Sequence, residues 1–376
     1  MPLRVAWRIL TDQKGRTALA TGGIFIAILL VFIELGFFVA VPQGGMLIYD
    51  HMRFDLLVCS NRYLFQAQSG QFPRERIEIA RSAPDVAQAT PLYIGAAKWQ
   101  DANGGLRVDT SIIAADPEAG IFAVADIERQ KAVLDRPDTV LVDGASRSLF
   151  GALTTGRIVD IAGRRMTIGG QYALGTGFLG LGVVLVSEPN FFAMFPLRPP
   201  DSVNLGLVTL KPGADADRAA QALRAMLPAD AQVFTRAELV DHEVAYWTTR
   251  TATGLIFGSG LAISFVVGIM VLYQTLATQI TRQLPQFATL KAIGYGDRTL
   301  DAIVLTEAFL ITAVAFVPAL GAALGVYALV RSQTLLPLAL TAAQLGTVLA
   351  ITLAMAAASA FLSLSGLRRA DPAEVF

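Results

Sequence analysis

Glu34 and Glu307 are the two acidic side chains inside the long apolar stretches of this 376-residue chain. A carboxylate in hydrocarbon costs about 2.5–3.5 kcal/mol or more, so such residues mark interhelical bonds, ion or substrate paths, or proton relays. Glu34, in the outer half of its stretch, fits either an interhelical bond or a translocation path. Glu307, about one turn inside the end of its stretch, can pair with Lys291 or Arg298 at the interface. Little else can do chemistry. His51 and His242 are the only histidines and Cys59 the only cysteine, which excludes an intrachain disulfide and a Cys/His metal cluster. There is no HExxH, GxSxG or GxxxxGK[ST]. Gly175–Gly180 spells GxGxxG, but a strand-like stretch, Leu181–Ser187, follows where the dinucleotide fingerprint requires a helix. The chain is therefore expected to catalyse nothing and to bind no cofactor of its own.

What positions these acids is a set of membrane helices. Hydrophobic residues make up 54% of the chain, charged residues 16%, and mean hydropathy is +0.53. Soluble chains carry about 25% charge. The 30 basic and 30 acidic side chains balance, so no net field favours nucleic acid. Their distribution is uneven: 43 of the 60 lie in residues 42–251. Apolar runs at 18–41, 254–277, 302–330 and 343–364 are long enough, at about 1.5 Å per residue, to cross a ~30 Å hydrocarbon layer. The first run exceeds the ~7–15 residues of a signal-peptide core, so it reads as an uncleaved anchor. Gly254, Gly258 and Gly260, and Gly321 and Gly325, have the small-residue spacing that lets helices approach closely. Pro318 predicts a kink in the third span.

Nine basic residues (Arg4, Arg8, Lys14, Arg16, Arg282, Lys291, Arg298, Arg368 and Arg369) flank one set of span ends, against Arg331 alone in the short loop on the other side. The positive-inside rule then places 1–17, 278–301 and 365–376 in the cytoplasm, and 42–251 and 331–342 outside it. The external domain reads as α+β. Helix candidates Arg74–Ser82 and Asp215–Leu227, each closed by proline, are followed by strands at Ala87–Ile94 and Gln232–Thr235, and Leu205–Leu210 precedes the second helix. Between them, Leu106–Ala114, Thr139–Val142, Arg157–Ile168 and Gly182–Ser187 read as strands of a mostly β middle region.

The loop 278–301 carries the sharpest pattern. Thr281–Gly294 reads TRQLPQFATLKAIG. Leu284, Phe287, Leu290 and Ile293 fall at three-residue steps, Pro285 suits a first turn, Lys291 lies near the C-terminal end and Gly294 is a stop. This predicts a short amphipathic helix lying across the membrane face, either an interfacial anchor or a lever held by a soluble partner.

At these residues the chain resembles the FtsX/MacB-like permease superfamily, and within it the DevC family of ABC exporter permeases. The resemblance rests on LGFF at Leu35–Phe38, the large external domain, FATLKAIGY at Phe287–Tyr295 and LRRADPAEVF at Leu367–Phe376. Family members often have Glu where this chain has Gln286. The resemblance implies four transmembrane helices with a MacB-like periplasmic core domain between the first two. In that domain, Porter-like parts at about 42–100 and 200–250 would flank a Sabre-like β insertion at about 101–199. It also implies an inner-membrane homodimer, a separate ABC ATPase subunit that binds ATP and Mg, a periplasmic membrane-fusion adaptor and a TolC-like outer-membrane channel. In this mechanotransmission scheme (type VII), ATP-driven motion reaches the periplasmic domain, and a lipid, glycolipid or other amphipathic substrate is exported without passing between the helices. The residues alone leave open an FtsX-like transmitter that regulates a cell-wall hydrolase and a LolC/LolE-like lipoprotein-releasing permease.

Overall fold

The computed structural model describes residues 14–369 apart from 147, 176–180, 295 and 335. Within the helices, the side chains of 14–20, 286–288, 290–292, 297, 300, 333, 334 and 365–369 are outside the description. The chain forms two compact units. One comprises the residues up to Ala40 with Ala252–Thr334 and those from Leu338 on, and the other Val41–Thr251 with 335–337.

The first unit is helical. It holds α1 (Lys14–Asp50) up to Ala40, and the membrane helices of the C-terminal part. Four helices have stretches long and apolar enough to cross a membrane: Thr21–Asp50, Ala252–Pro285, Asp301–Ser332 and Ala342–Leu364. The α1 stretch is 50% buried, against 17% for the second. Ile24, Ile28, Val31 and Phe32 of α1 are fully buried with Leu272, Ala315, Ala319 and Met355 from the other three. The sequence reading ended the first span at Val41. The helix instead runs through Pro42 to Asp50, because Met46, Ile48 and Tyr49 are buried in a core of the other unit. Apolar contacts there outweigh the one backbone bond that proline removes.

The second unit is built on a nine-stranded mixed sheet. Its strands are β1 (Leu56–Ser60), β3 (Val86–Asp101), β4 (Val108–Ala114), β5 (Thr139–Asp143), β6 (Ile158–Ile161), β7 (Arg164–Tyr172), β8 (Val183–Val186), β10 (Leu205–Leu210) and β11 (Ala231–Thr235). They are ordered β11-β1-β10-β3-β4-β8-β5-β7-β6, and β2 (Phe72–Pro73) pairs separately with β9 (Ser202–Val203). Side chains alternate across a strand, and here both faces are covered. Leu56 and Val58 enter one core and Leu57 and Cys59 the other; Val140 and Val142 enter the first and Leu141 the second. The first core is closed by α2 (Glu75–Arg81), α4 (Glu188–Met194) and α5 (Ala216–Met226), through Ile77, Phe191 and Leu223. The second is closed by the end of α1, α3 (Ala125–Leu134) and α6 (Arg236–Ala245), through Tyr49, Ile127 and Leu239.

Helix ends follow from local chemistry. Asp215 caps α5 by accepting from the Arg218 N–H at 2.9 Å, and Thr235 with Glu238 forms a reciprocal capping box on α6. The stretch Arg157–Ile168, read as one strand, is two: Ala162 (φ 57°) and Gly163 (φ 78°) form a tight turn that pairs β6 with β7 antiparallel. The middle region also contains α3 and α4 besides its strands. The 16-residue β3 pairs with β10 through its first half and with β4 and β6 of the middle region through its second, so one continuous sheet joins them.

Candidate functional site

The second membrane helix begins only after an irregular exit from the external unit. After α6 the backbone forms a five-residue π turn, Tyr246–Arg250, and Thr251 is extended (φ −110°, ψ 151°). Then α7 runs unbroken from Ala252 to Ala292, 41 residues, with Pro285 inside it. The segment expected to form a separate helix across the membrane face is thus the distal end of the spanning helix itself. No glycine or extended residue interrupts 278–292, and the Pro285 ring is accommodated within it. Gly294, at φ 102°, ends it in a conformation that glycine adopts without strain. Leu284 is half-buried and Ile293 is 70% exposed. The backbones of Phe287, Leu290 and Lys291 belong to α7, and their side chains lie outside the described ones. Helix α8 (Asp297–Thr334) follows, continuous through Pro318, and then α9 (Ala342–Arg369). The tail DPAEVF lies outside the described residues.

The LGFF segment makes close contacts in the membrane unit. Leu35 is buried. At Gly36 a Cβ would stand 2.2 Å from Tyr327 Oη, and that hydroxyl donates to the Phe32 carbonyl. Phe37 stacks on Phe257 with ring centroids 4.9 Å apart, and Phe38 lies 3.5 Å from where a Cβ of Gly258 would be. Ser359 Oγ donates to the Ile269 carbonyl at 3.0 Å, tying α9 to α7. Of the glycines singled out for helix pairing, Gly258 thus faces α1, whereas a Cβ at Gly321 or Gly325 would meet nothing within 4 Å. Gly254 lies at the start of α7.

Glu34 is half-buried. Its carboxyl fills the space that a Cβ at Gly260 would take, 2.5 Å from Cδ, and its Oε2 has no hydrogen-bond partner among the described residues. Glu307 is 1% exposed, with Gln283 as its polar neighbour. Neither carboxylate oxygen has a well-formed hydrogen bond, and no ion pair joins it to the exposed Arg298. Gln283, itself buried, immediately precedes Leu284, so Glu307 abuts α7 where the distal segment begins.

A third acid escaped the sequence reading. Glu243, on α6 of the external unit, is 0% exposed and accepts hydrogen bonds from the Tyr63 hydroxyl and from Trp247 Nε1. Its helix is charged and lies outside every apolar run, and Tyr63 is 180 positions away, so only the fold brings the group together. His242, beside it, contacts the Leu64 carbonyl through Nε2 at 3.1 Å, and His51 Nδ1 lies 2.8 Å from the Leu47 carbonyl. Both imidazoles are held by backbone carbonyls.

Residues 17–226 match the family described as MacB-like periplasmic core domain, and residues 258–372 match the one described as FtsX-like permease C-terminal. Among solved structures, the periplasmic region of MacB from Actinobacillus actinomycetemcomitans aligns at 10% identity and a TM-score of 0.36, over 50% of this chain and 91% of that one. The extracellular domain of the noncanonic ABC-type transporter YknZ from Gram-positive bacteria aligns at 13% identity and 0.34, over 48% of this chain and 99% of that one. A comparison with curated proteins gives no match.

Proposed function

The chain belongs to the family of membrane permeases with a MacB-like periplasmic core domain, and from that premise we propose that it is the permease subunit of an ABC exporter. A separate ATPase, which binds ATP and Mg, grips the distal end of α7. The helix carries that motion to the external unit, and an adaptor with an outer-membrane duct completes the path for a lipid, glycolipid or other amphipathic substrate. Two copies of the chain make the working permease, in the inner membrane with both termini in the cytoplasm, and its DevC-like sequence pattern favours export over signalling.

The observation that carries this reading is the length of α7. Forty-one residues at about 1.5 Å each extend roughly 60 Å, about twice the hydrocarbon thickness. The TRQLPQFATLKA segment is therefore the end of a rod whose other part spans the membrane. A helix gripped at one end transmits a push, a tilt or a rotation to the other without a joint in between. Arg282, Lys291 and Arg298 support a cytoplasmic side for that end under the positive-inside rule, where an ATPase would act.

Phe287→Ala tests the grip. Burial of an aromatic side chain contributes about 1.5–3 kcal/mol, so the substitution should weaken ATPase co-purification by roughly ten- to a hundredfold while membrane insertion stays intact. Unchanged co-purification together with unchanged permease-stimulated ATP hydrolysis would make the segment a membrane anchor instead. Capture of a cell-wall hydrolase in place of an adaptor by the external unit would turn the reading to signal transmission.

A further inference from the structure

The external unit receives the chain along the last turns of α1 and releases it through α6 and the π turn, and both stretches converge on Glu243. The Tyr63 hydroxyl donates to its Oε1, Trp247 Nε1 donates to Oε2 at 3.1 Å, and the Gln66 backbone N–H donates as well. Tyr63 Oη lies 2.8 Å from Tyr49 Oη on α1, so a chain of hydroxyls joins the carboxyl to that helix. Gly45, also on α1, admits the indole: a Cβ there would stand 2.5 Å from Trp247 Nε1 and 3.3 Å from Glu243 Oε2. Four segments thus meet at one buried acid: α1, the loop after β1, α6 and the π turn. None of the ion pairs formed by the described residues includes it.

We propose that Glu243 is a proton-operated clamp between the chain entering the external unit and the chain leaving it. Protonated, it holds α1, Tyr63 and the π turn as one block; ionised, it releases Tyr246–Arg250 from that block. The π turn suits such a release, since its wide backbone ring is a poorer fit than an α-turn and such turns recur at functional sites. Both protonation states can satisfy their hydrogen bonds. In the closed block an ionised carboxylate would accept from all three donors, Trp247 included, and the protonated one donates to Tyr63, whose hydroxyl rotates toward Tyr49; the release is driven by the charge and not by a lost hydrogen bond. No cation among the described residues pairs with Glu243, and a buried charge left without one is costly, which opening the block to solvent relieves.

The titratable groups facing Glu243 are Tyr49 on α1, Tyr63, Cys59 on β1 and, on its own helix, His242, whose ring lies 5.5 Å from that of Tyr63. Burial raises the Tyr63 hydroxyl and the Cys59 thiol, so both stay neutral near neutrality. Burial also pushes Glu243 up to about 7, with the donors from Tyr63, Trp247 and Gln66 opposing it. The sign follows from that direction. The closed clamp binds its proton more tightly than an exposed carboxyl at 4.5 does. Its contribution is therefore full below about 4.5, lost as pH rises toward about 7, and constant beyond.

The test uses the full-length protein in lipid nanodiscs, with spin labels on cysteines replacing the exposed Gln43 and Thr249; the native Cys59 is buried and stays unlabelled. Pulsed-EPR distances taken from pH 5 to 8.5 should show one population giving way to a longer one, the open-to-closed ratio rising by up to about tenfold per pH unit and levelling near 7. Glu243→Gln should stay closed at every pH, and His242→Gln should behave as the parent. Tyr63→Phe removes a donor that favours the ionised form and should move the pH at which the ratio levels upward. An invariant distance distribution in the parent, or the same transition in Glu243→Gln, overturns the clamp. If Glu243→Gln does not fold, Tyr63→Phe and Trp247→Phe decide: an upward shift of the pH at which the ratio levels supports it, and an unchanged levelling pH in both overturns it. No ATPase enters the experiment, so its outcome is independent of the export reading.

Discussion

Trp99 and Phe150 in the external unit, and Gly36 and Tyr327 in the membrane unit, are each fully or almost fully buried pairs, yet they hold their surroundings by different physics. The aromatic rings of the first pair meet edge-on at 5.2 Å between centroids, deep in a core that water would otherwise wet. In the second pair a missing side chain lets a tyrosine hydroxyl reach a helix backbone. Water drives the first contact, because burying apolar surface is favourable whatever its exact shape. Lipid gives no such drive, since a side chain leaving hydrocarbon for a helix interface changes little, and the contact must come from close fit and interhelical hydrogen bonds. All twelve ion pairs found among the described residues fall in the external unit, in keeping with that division.

The difference can be broken at its strongest point first. Trp99→Ala empties the centre of the external core and should cost about 3–5 kcal/mol, read as a lower thermal midpoint of the sheet signal in circular dichroism. The helical signal of the membrane unit should then melt separately. Gly36→Ala should cost about 1–3 kcal/mol, because the Tyr327 ring is rigid and anchored by its own hydrogen bond. Gly206→Ala, its counterpart in the sheet, should cost less: the tightest contact of the new Cβ is the Ile77 Cδ1, the far end of a side chain that can turn aside, and the Val58 Cβ at 3.2 Å need give only a few tenths of an ångström. If Gly206→Ala lowered the midpoint more than Gly36→Ala, close fit would not be the special requirement of the membrane unit. Tyr327→Phe isolates the hydrogen bond and should cost about 0.6–1.7 kcal/mol by thermal unfolding in detergent. Lys98→Ala removes a pair with Asp109 in which both side chains are more than half exposed, and should shift stability by under about 0.5 kcal/mol.

The same division explains what could be read from the sequence. The membrane helices were legible because hydrocarbon demands a long uninterrupted run, and strands such as β10 because turns of Lys211-Pro212-Gly213 type bracket them. The strand β1 was not: LLVCS is buried on both faces, so it lacks alternation and reads like any short apolar run. The helix α3 was hidden because only Ile127 and Leu134 are buried on it, which leaves ADIERQKAVL looking like a polar connection. The acids divide likewise. Glu34 and Glu307 stand out against apolar neighbours, while Glu243 sits in a charged helix, and its burial depends on Tyr63 and on an α1 that continues past Pro42. Local pattern reveals a group that is out of place in its own segment. A group made unusual by distant segments is visible only once those segments are assembled.

The unbroken course of α7 makes its residue count a matter of angular phase. Each residue turns the helix by about 100°, so one residue inserted near Thr278 would swing everything beyond it, Phe287 included, by that angle and advance it about 1.5 Å. A seven-residue insertion would return the azimuth to within about 20° while adding roughly 10 Å of length. The spacing between Ala252 and Gly294 is therefore expected to tolerate whole heptads better than single steps, as a drive shaft tolerates a change of length better than a change of keyway.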